Sequence, residues 1–169
     1  ERASLLEGGF PRWQAESRAT TTGEAAPPSV SSEIDVRPSD GFYVATSQLV
    51  ALLDAGEIDL VDMRTDDERR DTIDDQFEIG MIPGSIHLPW DNPAFNVASE
   101  TDVFDSAAAR NVLESAGISA ERQIVLYGRF GTDACQMWVV LKACDFANVV
   151  IYDRGWVEWS ETDQRSLPI

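Results

Sequence analysis

The sequence is poor in the residues from which metal sites and disulfide frameworks are built. Its 169 residues include two cysteines, Cys135 and Cys144, and one histidine, His87. A disulfide-stapled fold needs more cysteines in a shorter chain, and a zinc site needs clustered ligands. Neither pattern occurs, so no metal and no cofactor are expected. Basic residues are also scarce: 13 Lys+Arg stand against 30 Asp+Glu, a net charge of −17, and Lys142 is the only lysine. Such a field repels phosphate backbones and anionic lipid, which removes nucleic acid and membrane surfaces as leading partners. The same acidity points to adaptation to salt. No apolar run approaches the roughly 20 residues of a spanning helix, so membrane insertion is not expected either.

What is present is ordinary globular material. Hydrophobic residues make up 43% of the chain and charged residues 25%, usage typical of one folded domain. The chain opens Glu1-Arg2-Ala3-Ser4-Leu5-Leu6, without the basic and apolar pattern of a signal peptide, so the compartment stays open. An internal repeat follows. Leu6-Glu7-Gly8-Gly9-Phe10-Pro11-Arg12-Trp13 aligns without a gap on Tyr152-Asp153-Arg154-Gly155-Trp156-Val157-Glu158-Trp159. Residues 1–17 are therefore read as the tail, a last strand and turn, of a preceding domain of the same type. Residues 18–42, rich in Thr, Ser and Pro, read as an extended linker, and residues 43–169 as the domain proper.

From Tyr43 onward helices and strands alternate. Thr46 is expected to cap a helix over Ser47–Ala55 that stops at Gly56. Ile58–Met63 and the shorter Ser85–Leu88 are strand candidates, and Asp105–Ala116 is a helix. Gln123–Tyr127 is the clearest strand. It runs through the loop Gly128–Asp133 into a helix of about Ala134–Cys144, and Asn148–Tyr152 is the last strand. Such alternation implies a mainly parallel sheet with helices on both faces, and a site at the carboxyl ends of its strands, at the loop after Tyr127.

Three segments carry a resemblance to a known family: Leu60-Val61-Asp62-Met63-Arg64, Gly80-Met81-Ile82-Pro83-Gly84-Ser85-Ile86, and Val150 to Trp159. With Ile124-Val125-Leu126-Tyr127 and its following loop, they resemble the rhodanese domain over about Thr46 to Trp159. The resemblance implies an α/β three-layer fold with a central, mainly parallel sheet. The repeated tail makes the arrangement similar to the tandem thiosulfate and 3-mercaptopyruvate sulfurtransferases, of which this chain would be the C-terminal part, its N-terminal rhodanese-like domain lying outside the sequence. The implied chemistry is sulfane-sulfur transfer: a cysteine thiolate opening the loop takes sulfur from a small anionic donor as a persulfide and passes it to a thiol or cyanide. Such a site needs a lowered thiol pKa and loop N–H groups at a helix N-terminus.

The loop reads Gly128-Arg129-Phe130-Gly131-Thr132-Asp133, and the family's nucleophile position, directly after the strand-ending aromatic, falls on Gly128. Glycine cannot form a persulfide, so no catalytic residue is assigned and the domain by itself is expected to be inactive. Arg129 and Arg64 are the candidates for binding an anionic donor. Asp133, read as a helix N-cap, would compete with that anion for the same N–H groups, and Glu68 stands where tandem enzymes usually have a donor-gripping arginine. Cys135 and Cys144 are read as small core residues and His87 as a structural histidine. Asp62 with Arg64 is read equally as a fold-stabilising ion pair, and the acidic run Asp66–Asp75 as a solvated face. A phosphatase of related loop architecture is excluded by Gly128 and Ala134, which stand where it needs a cysteine and an arginine. A non-catalytic binding or regulatory module of the same fold remains the alternative.

Overall fold

The strand segments most uniformly apolar in sequence form the middle of one parallel sheet. The computed structural model describes residues 4–24, 41–70, 78–96 and 104–161. In chain order the described elements are α1 (Gly9–Ala15), β1 (Tyr43–Val44), α2 (Thr46–Ala55), β2 (Ile58–Asp62), α3 (Asp66–Arg69), β3 (Ile86–His87), α4 (Ser106–Ser115), β4 (Gln123–Tyr127), α5 (Gly131–Ala143), β5 (Val149–Tyr152) and α6 (Gly155–Glu161). A single 3-10 turn, Pro93–Phe95, precedes α4. The sheet order is β1-β5-β4-β2-β3, and every pairing is parallel. Central β4 sets Val125 beside both Leu60 and Val150.

Alternation along the strands divides the core into two layers. Ile124 and Leu126 of β4 join Val61, Leu113, Met137, Val140 and Phe146 beneath α4 and α5. Val125 and Tyr127 join Leu49, Leu60, Val150, Trp156 and Trp159 on the opposite face, beneath α2 and α6. Helices thus cover both faces of a parallel sheet, as parallel strands buried on two sides require. The expected three-layer α/β fold is the one observed.

Several local expectations change. Thr46 does not cap α2; Ala45 does, and Thr46 lies in the first turn. Its hydroxyl is drawn instead to the Tyr152 hydroxyl at 3.0 Å and to the Glu158 carboxylate. Partners on the last strand and last helix override its local capping preference. The helix expected from Asp105 begins at Ser106, and Asp105 is its cap, accepting from the N–H groups of Ala107 and Ala108. Within the tail the described residues form α1 and no strand. Of the expected linker, residues 25–40 lie outside the described residues, as do residues 71–75 of the acidic run.

Candidate functional site

β4 leads into α5 on one face of the sheet and β5 into α6 on the other. The segments that follow their carboxyl ends therefore diverge, at the edge of the sheet where open α/β folds hold ligands. The loop Gly128–Phe130 fills this place. Its carbonyls are engaged by the start of α6: Trp156 N–H donates to the Gly128 oxygen at 2.9 Å and Val157 N–H to the Arg129 oxygen at 3.3 Å. The approach is close enough that only glycine fits at 155. A Cβ there would lie 2.6 Å from the Arg129 oxygen and 2.8 Å from the Gly128 oxygen, and the residue has φ +59°.

The helix after the loop begins earlier than the sequence suggests. Gly131 opens α5 with Phe130 as N-cap, so Asp133 sits in the first turn and is not the N-cap. Its carboxylate still serves the helix end: Phe130 N–H donates to Asp133 Oδ2 at 3.0 Å, and the Thr132 hydroxyl reaches Oδ1 at 3.4 Å. A negative group in the first turn also suits the helix dipole. Gly131 is small because β5 ends against it, an added Cβ falling 2.5 Å from the Asp153 carbonyl oxygen. Gly128 is buried, Arg129 half-buried, and Phe130 and Thr132 are exposed.

Arg64 lies at the end of β2, beside the loop, and is buried to 1% exposure. Its Nε and Nη2 donate to the two oxygens of Asp62 at 3.0 and 2.7 Å, and Nη2 also reaches the Gly80 carbonyl at 2.8 Å. The guanidinium stacks over the Trp156 ring, 4.5 Å from its centroid. Burial disfavours its charge, but the hydrogen bonds and charge of Asp62 outweigh burial and hold its pKa above the ordinary arginine value. The ion-pair reading of Asp62 and Arg64 is therefore the one the geometry displays. Tyr127, the last residue of β4, accepts from Ile82 N–H and donates to Ser85 Oγ, and burial raises its phenol well above the usual value.

Other singled-out residues take clear places. His87 Nε2–H donates to the Arg64 carbonyl at 2.8 Å, a structural contact. Glu68 caps its own turn through Thr65 N–H and accepts from the Trp90 indole. Cys144 is buried, and burial raises its thiol pKa. Cys135 departs from expectation: it is exposed. It lines a groove of about 230 Å³ with Phe42, Tyr43, Trp138, Val139 and Ile151. Helix α5 buries Ala134, Met137, Val140 and Leu141, and position 135 turns away from that face. Among the described residues no cluster of His, Cys, Asp and Glu could hold a metal ion, and no helix is long and apolar enough to cross a membrane.

The sheet, its two-sided helical cover and the loop after β4 define the class. The rhodanese-like domain family matches residues 45–162, and the chain belongs to that family. The chain is 27% identical over 165 residues to a putative thiosulfate sulfurtransferase of Mycolicibacterium smegmatis, covering 92% of this chain and 57% of that protein. It is also 27% identical over 163 residues to the 3-mercaptopyruvate sulfurtransferase of Rattus norvegicus, covering 92% of this chain and 52% of that protein. It thus spans about half the length of these relatives. Among solved structures, an anaerobic ergothioneine biosynthesis enzyme from Chlorobium limicola superposes with a TM-score of 0.74 at 21% identity, over 96% of this chain and 41% of that one. That likeness concerns the fold.

Proposed function

We propose that the chain is the C-terminal part of a tandem sulfurtransferase and that its own loop does not carry the sulfur. One observation bears the reading: the loop after β4 opens with Gly128, where the family places its cysteine nucleophile. The reaction of the family is transfer of sulfane sulfur from thiosulfate or 3-mercaptopyruvate to a thiol or cyanide. Gly128 offers no atom to attack the donor, and Cys135 opens onto a groove beside Phe42 and Trp138. Any turnover then needs a cysteine supplied by the preceding domain or by a partner.

The tandem arrangement draws support from α1. It begins at Gly9 and α6 at the aligned Gly155, both with positive φ, +56° and +59°, and each runs for 7 residues. Aligned Phe10 is 59% exposed whereas Trp156 is 6% exposed, so α1 has the form of a domain-ending helix without its sheet. The roughly doubled length of the relatives agrees.

A second reading is a binding or regulatory module of the same fold, favoured by the carboxylate of Asp133 at the loop N–H of Phe130. Thiosulfate:cyanide and 3-mercaptopyruvate assays on this chain alone test the inactive loop, with no turnover expected. Robust activity that disappears in Cys135→Ser would overturn it. An active-site cysteine in a rhodanese-like domain upstream of Glu1 would favour the enzyme over the binding module.

A further inference from the structure

We infer that Gly128 and Asp133 form an interlocked pair: the loop is closed from within by its own carboxylate, and glycine at 128 is what that closure requires. This rests on the reading of Gly128 as the nucleophile position and extends it from a missing side chain to a rebuilt loop. A Cβ placed at 128 would lie 2.6 Å from Asp133 Cβ, 3.1 Å from Asp133 Oδ2 and 3.1 Å from the Phe130 carbonyl oxygen. The nearest of these atoms is attached directly to the backbone of α5, so no side-chain rotation relieves the overlap. Gly128 is buried, so a new atom has no solvent to move into and the backbone must shift.

The carboxylate is also held in place. It accepts from Phe130 N–H at 3.0 Å and from the Thr132 hydroxyl at 3.4 Å. The Phe130 N–H stands at the positive end of a helix of 13 residues, where a fixed negative charge is stabilised. Asp133 thereby does two things to the loop. It takes an N–H group that an external anion would need, and it occupies the volume that any side chain at 128 would need. A cysteine restored at 128 alone meets both obstacles; the same cysteine with glycine at 133 meets neither.

Two measurements separate this inference from the reading beneath it. The first is a thermal double-mutant cycle on Gly128→Ala and Asp133→Gly, which corrects for any general cost of either change. Gly128→Ala is expected to lower the midpoint by about 5 °C in the native background, and by less than half as much when combined with Asp133→Gly. Equal shifts in both backgrounds would overturn the interlock.

The second is persulfide formation at position 128 with thiosulfate, followed by peptide mass. In that step the introduced thiolate attacks the outer sulfur, a new S–S bond forms, the S–S bond of thiosulfate breaks, and sulfite leaves with the electron pair. Gly128→Cys combined with Asp133→Gly is expected to react about tenfold faster or more than Gly128→Cys alone. Equal rates would overturn the interlock and leave the nucleophile reading standing. A coupled thermal cycle with no persulfide at 128 in either variant would sustain the interlock and overturn that reading.

Discussion

Arg64 lies out of water against Asp62, its Nε and Nη2 3.0 and 2.7 Å from the two carboxylate oxygens. Both side chains are essentially inaccessible, at 1% and 0% exposure. Arg69 adds a second cation to the same carboxylate at 3.3 Å. Asp62 thus holds β2 to the segment through Gly80, because Arg64 bridges to the Gly80 carbonyl. Removing one partner of a buried pair leaves the other charged and unsolvated, which costs about 3–5 kcal/mol. Asp62→Ala should lose that much by denaturant unfolding, whereas Arg64→Met, which leaves Asp62 its contact with Arg69, should lose less. An Asp62→Ala loss under about 1 kcal/mol would show that the pair is solvated in solution.

The two thiols should part cleanly in reactivity. Cys135 is exposed and Cys144 buried, the latter with Sγ directed to the Ser106 carbonyl and its pKa raised by burial. Thiolate is the reactive form, so iodoacetamide should label one thiol per native chain, at Cys135, and both only in denaturant. Labelling of Cys144 at the native rate of Cys135 would contradict the packing of α4 on α5.

Stability should fall in alkali. Tyr127 and Tyr152 have phenols raised above the ordinary value, in both cases chiefly by burial. A raised folded pKa means that the fold favours the neutral phenol. The stabilisation is complete below the unfolded value of about 10 and is lost as pH rises through the folded values. The denaturant midpoint should therefore decline above about pH 10, and Tyr127→Phe should flatten that decline while lowering the midpoint at neutral pH. Phenolate absorbance of Tyr127 appearing before unfolding would refute the assignment.

Added salt should stabilise the native chain. With a net charge of −17 its acids repel one another, and screening weakens that repulsion within a Debye length of about 8 Å at physiological ionic strength. The thermal midpoint is expected to rise between low and molar potassium chloride. A midpoint unchanged across that range would remove the case for salt adaptation.

Much of the architecture was legible in the residue pattern. Strand β4 matches the expected Gln123–Tyr127 to the residue because four consecutive positions after Gln123, Ile124 to Tyr127, are apolar or amphipathic and lie between turn signals. The Gly56 stop of α2 is local chemistry and reads locally. Helix α5 starts three residues before the expected Ala134 because nothing within the segment marks Gly131 as helical; the backbone of Asp153, at the end of β5, presses on it. The exposure of Cys135 differs from expectation for a related reason. Helix α5 is apolar nearly all round, so sequence cannot say which side meets the sheet.

Residue identity along the chain is enough for the family, the alternation of strands and helices, the net charge of −17 and the glycine at position 128. What stands around that position follows from how the elements pack. Packing bound the loop carbonyls to α6, brought the Gly80 carbonyl to the Arg64 guanidinium, seated the end of β5 on Gly131 and turned Cys135 outward. Those relations join segments that approach only when the sheet closes, and contact across such distances leaves no local signal in the chain.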